Sequence, residues 1–266
     1  MNMILNLSSK YRKNEGLVLS PSELQSTYFY GINILDKSGK ELSQETYRFF
    51  IQAAQQEVEK HLGIRLSKQI ITESLDFYGD EFRSFGFIQT TYPVVKPLKL
   101  VGYLGQVKQL EYPGEWLSCR STSDGETYYR RIFIIPTQNT TISQSGVSML
   151  YSGVLPNIGM LNWNHLPNYW TATYCTGFEK IPRDIVDVVG KLASVGIFNI
   201  AGDLVLGTAG IANYSLSIDG LSQSIGTTSS AENSAYSARI LMYNKEIKET
   251  LKKLENYYRN IAVTSM

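Results

Sequence analysis

The chain has 266 residues, a formal net charge of +1, and a charged fraction of 18% against 43% hydrophobic. That length suits one large domain or two small ones, with enough apolar material for a sizeable core. Near-neutral charge argues against a protein that coats nucleic acid, and eighteen Tyr suit half-buried interfaces or ordinary strands.

The two cysteines, Cys119 and Cys175, are far apart and form no CxxC, so they read as reduced thiols rather than a disulfide framework. Residues 1–10, MNMILNLSSK, lack a basic region ahead of an apolar run, and no apolar stretch is long enough to span a bilayer. The chain therefore reads as soluble, intracellular when made, and without a membrane partner.

Residues 1–38 read as an N-terminal arm with at most short structure. A helix is predicted over 43–62, because Tyr47, Phe50, Ile51, Ala54, Val58 and Leu62 recur at spacings of three and four. Ser43 is placed to cap it, Glu45 sits in the first turn, and Gly63 lies just past its end. From Arg65 the pattern changes. Short runs rich in Ile, Val, Thr, Tyr and Phe, punctuated by Gly and Pro, predict an antiparallel β region over 66–178. Asp124-Gly125 is a hairpin candidate, and Pro93 and Pro97 are expected at edges or turns.

Helical pattern returns at 183–199, where Pro182 fits the first turn and Ile185, Val188, Val189 and Leu192 share a face. Gly190 and Gly196 weaken that helix, which close approach of another helix explains. "GIANYSLSIDG" reads as a short strand or extended hairpin arm, and 219–229 as a polar loop. Ser229 and Glu232 fit a capping box that starts a last helix near residue 230. Its stripe is Tyr236, Ile240, Tyr243, Ile247, Leu251, Leu254, Tyr258 and Ile261. Thus the fold class expected is α+β: a helical core of three main helices over 39–65 and 179–266, with 66–178 as a large β-rich antiparallel insertion lobe.

Signs of chemistry are few. His61 and His165 lie in no metal-binding spacing, and no nucleophile elbow, phosphate loop or dinucleotide fingerprint is present. His61 suits a helix C-terminus and His165 a packed loop. Asp76, Asp80 and Glu81 could gather a cation, but without ligand spacing they read as a solvated turn. The aromatics of "WNHLPNYW" offer a sugar platform or a core. No catalytic residue, cofactor or metal is expected.

The "TGFEKIPRDIVDVVGKLA" run at 176–193 and the "SLSIDGLSQSIGTTSSAENSAYSARI" run at 215–240 resemble the head–tail adaptor (head-completion, or connector) proteins of tailed bacteriophages. The resemblance covers about 43–65 and 171–262; the β segment departs from the compact, nearly all-helical members. It implies a structural virion protein at the head–tail junction: a ring, usually of twelve copies, that docks on the portal, extends the DNA channel without sequence-specific binding, and receives a tail or stopper protein. Candidate contact residues are Tyr214, Leu216, Ile218, Leu221 and Ile225 in the uncharged segment, with Tyr257 and Tyr258 on the last helix. The competing expectation is a virion carbohydrate- or receptor-binding module built on the β segment.

Overall fold

A computed structural model describes residues 16–30, 32, 34–35, 39–82, 86–121, 129–135, 164–206, 213–218, 221–226 and 236–263. The chain is α+β, with four helices and antiparallel sheets among the described residues. It divides into two compact units. One combines Ser9–Leu62 with Lys180–Tyr257; the other is Gly63–Glu179 with both chain ends.

The first unit holds α1 (Pro21–Tyr28), α2 (Gln44–Leu62), α3 (Arg183–Leu206) and nearly all of α4 (Ser237–Val263). Ser43 Oγ accepts the Thr46 N–H at 3.2 Å, so α2 is capped as the sequence suggests. The stripe Tyr47, Ile51, Ala54, Val58 and Leu62 is buried. Gly63 follows at φ +64°, the left-handed geometry that glycine adopts most easily at a helix end.

Phe198 of α3 lies at the centre of the packing. Its ring is 4.8 Å from Phe29, 5.1 Å from Tyr236 and 6.4 Å from Tyr243. Burial of each such large apolar side chain contributes about 1.5–3 kcal/mol. The two helical glycines are explained by contact. A Cβ on Gly196 would sit 2.6 Å from the Phe50 ring of α2, and one on Gly190 would sit 2.3 Å from the Tyr28 ring of α1.

Three expectations need correction here. Residues 17–29 are not a loose arm: Leu17, Val18, Leu19, Leu24, Tyr28 and Phe29 are buried, and α1 carries a capping box between Ser20 and Glu23. Eight residues with few apolar positions give too weak a period to read, and tertiary packing supplies the stability. Helix α3 starts at Arg183, with Pro182 just outside accepting the first N–H from Val186, and it runs on to Leu206. Helix α4 begins at Ser237 rather than near residue 230, its first turn closed on the Tyr236 carbonyl. The capping-box residues Ser229 and Glu232 lie outside the described residues. Of the stripe read on α4, Ile240, Tyr243, Ile247, Leu254 and Tyr258 are buried and Tyr236 and Leu251 half-buried, while the Ile261 side chain lies outside the described residues.

The second unit is β-rich. Strands β1 (Gln69–Tyr78), β7 (His165–Thr176), β3 (Lys96–Leu104) and β4 (Val107–Glu111) form an antiparallel sheet in that order. A second sheet runs β2 (Phe87–Gln89), β6 (Arg131–Ile134), β5 (Leu117–Ser118). Trp170, Tyr169, Tyr174, Phe77, Leu100 and Ile132 anchor the core of this unit. The Trp170 ring meets Tyr169 edge-on at 4.7 Å and Tyr112 at 5.7 Å. Pro97 is the second residue of β3, paired with Tyr174 of β7 but ahead of the Val101–Leu104 stretch that pairs with β4, and beside a register shift between Pro97 and Lys99, so it stands on a locally open side of the strand as expected. That irregularity accommodates a residue without an N–H. Asp124-Gly125 lies outside the described residues.

Candidate interaction surface

The uncharged segment after α3 is a β-hairpin. Strand β8 (Asn213–Ile218) pairs antiparallel with β9 (Leu221–Gly226), in register from Asn213 opposite Gly226 to Ile218 opposite Leu221. The expected polar loop at 219–229 is therefore corrected: residues 221–226 are strand. The signal was present in the sequence. Ile218 and Leu221 are joined by two residues, Asp219-Gly220, the pair most favoured for a tight hairpin connection. The abundance of Ser, a weak strand former, concealed it.

Register decides which residues share a face. Tyr214, Leu216 and Ile218 alternate along β8, and opposite them stand Ile225, Gln223 and Leu221. The five candidate residues of this segment thus fall on one face. The other face takes Ser215 and Ser217 opposite Ser224 and Ser222. Among the described residues this sheet has two strands. Two strands alone are marginally stable in water, and an apolar face on them needs cover.

The two tyrosines of α4 separate. Tyr257 is 42% exposed, whereas Tyr258 is 4% exposed and meets Phe178 edge-on at 6.0 Å. Tyr258 is spent on packing within the chain, because it lies on the buried stripe and its neighbour does not.

The remaining candidates form no chemical site. His61 Nε2 is 3.7 Å from Glu255, at the end of α2. His165 opens β7, with Nε2 3.1 Å from Asp76 Oδ2 and its ring tilted 5.0 Å from Tyr78. Asp76 stands where the β1–β7 register slips, and its Oδ1 accepts the N–H of Asn168, which takes φ +51°. That backbone hydrogen bond, with the one to His165, holds the Asp76 carboxyl below its ordinary range. Asp76 therefore pins an irregular strand.

Glu81 lies in the 3-10 turn Gly79–Phe82. Burial pushes its carboxyl up to about 7, against the opposing pull of Arg131 and of the Gln89 N–H. Its Oε2 is buried without a hydrogen-bond partner. A cleft of about 410 Å³ lined by Ser74, Asp76, Tyr78, Glu81, Gln89 and Thr90 lies beside it. With Asp76 engaged and Glu81 Oε2 closed off from solvent, that cleft presents mainly hydroxyl and amide groups. Among the described residues no group of His, Cys, Asp or Glu is placed to hold a metal, and no helix is long and apolar enough to cross a membrane.

Of the aromatic platform, Tyr169 and Trp170 are fully buried, so they are core residues and present no face to a sugar; Trp163 lies outside the described residues. Cys119 and Cys175 are free thiols, both pushed up by burial, with Cys119 Sγ donating to the Val95 carbonyl at 3.2 Å.

A chain from the neck of an empty GTA particle, computed with C6 symmetry, aligns over 76% of this chain and 84% of its own, at 14% identity and a TM-score of 0.39. No protein-family model matches the sequence, and no curated protein matches it.

Proposed function

We propose that this chain is a structural, non-catalytic subunit of the head–tail neck of a tailed-phage-like particle. In this reading it forms an adaptor ring that docks on the portal, extends the DNA channel and receives a tail or stopper protein. The observation that carries the reading is the β8–β9 hairpin: an uncharged two-stranded element with all its apolar residues on one face, set between α3 and the long α4. Such an element is completed by a partner, as expected of an assembly subunit. The resemblance of 176–193 and 215–240 to head–tail adaptors supplies the kind of assembly. Tyr214, Leu216, Ile218, Leu221, Ile225 and the exposed Tyr257 are the contact residues of this proposal.

The test is imaging of particles from cells with and without the intact gene. Particles with it are expected to show cyclic density for this chain between portal and tail. Particles without it are expected to be filled heads lacking tails. Density on the capsid exterior or at the tail tip, with tails attached normally in the deletion, overturns the assignment.

A further inference from the structure

The outer face of α4 is uneven in charge. From Lys245 to Asn256 its exposed residues are Lys245, Lys248, Glu249, Lys252, Lys253 and Asn256, and none is apolar. Spacings of three and four put Lys245, Lys248 and Lys252 in one row about 10 Å long. The other two carboxylates of this stretch are taken by neighbouring helices. Glu246 Oε2 lies 2.8 Å from Lys191 Nζ of α3, and Glu255 Oε2 lies 3.7 Å from His61 Nε2 of α2. Among the described residues no ion pair engages the three lysines of the row. Like charges three and four residues apart repel one another, so the row works against the helix and folding gains nothing from it.

We propose that this row binds the phosphate backbone of double-stranded DNA, without reading its sequence. Three features select that occupant. Each lysine is a flexible point charge that suits a phosphate, and the helix runs unbroken from Ser237 to Val263, so the row is straight and lies along a rod-like polyanion. No arginine or aromatic side chain stands among these exposed residues to read base edges or to stack on bases. No apolar side chain stands among them either, whereas the core of a protein interface is depleted of charge and enriched in aromatic residues. A net charge of +1 keeps the contact local, weak and sensitive to salt, which suits DNA that slides past rather than DNA that is held. The binding rests on α4 alone; to the neck reading it adds the face that meets DNA.

The experiment measures binding of the full-length chain to a short fluorescein-labelled DNA duplex, by anisotropy at rising NaCl. Three phosphate contacts give log K a slope of about −2.7 against log salt, so affinity is expected to fall roughly 40-fold for a fourfold rise in salt. Lys245→Gln with Lys248→Gln and Lys252→Gln is expected to flatten the slope to near zero without lowering the melting temperature, because Gln is as good a helix former as Lys. If that variant melts early, Lys248→Gln with Lys252→Gln replaces it, and the slope is expected to shrink by about 1.8. The triple arginine variant keeps the charges and is expected to keep the slope, and Glu249→Gln is expected to tighten binding. Lys99→Gln with Lys108→Gln, which removes the two cations on Glu111 in the β-rich unit, is expected to leave the slope unchanged. No binding by the parent chain at low salt, binding that salt does not weaken, or a triple glutamine variant that binds as the parent does overturns the proposal. Tighter binding of a polyglutamate peptide than of the duplex means an acidic protein partner and overturns it too. Imaging of particles reads the neck assignment separately: a neck ring from a chain that binds no duplex defeats this inference alone, and duplex binding by a chain absent from the neck defeats the assignment alone.

Discussion

Gly190 of α3 and Tyr28 of α1 are in direct contact: a Cβ at residue 190 would lie 2.3 Å from the Tyr28 ring. The ring is fixed from its other end, where the Tyr28 hydroxyl donates to Asp187 Oδ1 at 3.2 Å. Burial, with the charge of Asp187 beside it, keeps that hydroxyl protonated far above the ordinary tyrosine range. Gly190→Ala is therefore expected to destabilise the protein by about 1–3 kcal/mol, even though Ala is the better helix former. Urea unfolding with an unchanged m-value checks this. A neutral or stabilised variant would show that the ring moves aside freely.

Lys191 ties α3 to α4. Its Nζ lies 2.6 Å from Asp187 and 2.8 Å from Glu246. Burial alone would pull the ammonium down, and the hydrogen bonds to both carboxylates outweigh it and hold it up. Lys191→Met leaves two carboxylates facing one another without the cation, at an expected cost of about 1–2 kcal/mol for a pair this exposed. Adding Glu246→Gln is expected to recover part of the loss. Thermal melts of the two single variants and the double variant measure the coupling.

Glu81 gives the stability a pH dependence of known sign. Its folded carboxyl sits at about 7, above the usual carboxylate value, so the folded chain holds the proton more tightly than the unfolded chain. The contribution is fully present below the unfolded value, about 4.3, and is lost as pH rises through about 7. Glu81→Gln keeps the shape and removes the charge. It is expected to be neutral at pH 5 and to stabilise at pH 8, by about 1 kcal/mol once screening of a partly exposed group is allowed for, or roughly 2–4 °C. Equal melting shifts at both pH values would refute this.

The hairpin separates assembly from folding. Leu221 and Ile225 share one face by register, in a sheet that has two strands among the described residues. Leu221→Ser with Ile225→Ser is expected to leave the melting temperature of the isolated chain nearly unchanged and to abolish incorporation into particles. A sharp fall in melting temperature with normal incorporation of the surviving protein would make the hairpin an internal packing element.

Tyr257 and Tyr258 give a paired test on α4. Tyr258→Ala is expected to cost about 3–5 kcal/mol as a buried aromatic packed on Phe178. Tyr257→Ala is expected to stay within about 0.5 kcal/mol as a half-exposed residue and to show any defect in assembly. Denaturation curves beside particle counts distinguish the two.

The amphipathic helices were legible because their apolar residues recur at the helical period. Tyr47 to Leu62 and Ile240 to Tyr258 name their buried faces without help from any other part of the chain. The β character of the described parts of 66–178 was legible from residue type and turn punctuation, and the α+β class follows from the two patterns together. Helix α1 was not legible, because eight residues carry too little period and Leu24 and Phe29 are held by distant helices. The hairpin was half legible: its alternation and its Asp-Gly link are local signals, but its serines read as loop.

What the sequence by itself determined is therefore local: which face of each long helix is apolar, where the period changes at Arg65, and that no familiar catalytic motif is written in the chain. What only the tertiary structure decided is long-range. Strand β1 pairs with β7 about a hundred residues later, placing Gln69 opposite Thr176, and that pairing sends Tyr169 and Trp170 into the core instead of to a ligand. The same holds for Gly190 and Gly196, which look like helix weaknesses until the Tyr28 and Phe50 rings occupy the space. The physical reason is that periodicity reports a residue's neighbours along the chain, whereas register and close contact are set by partners that only the folded chain brings together.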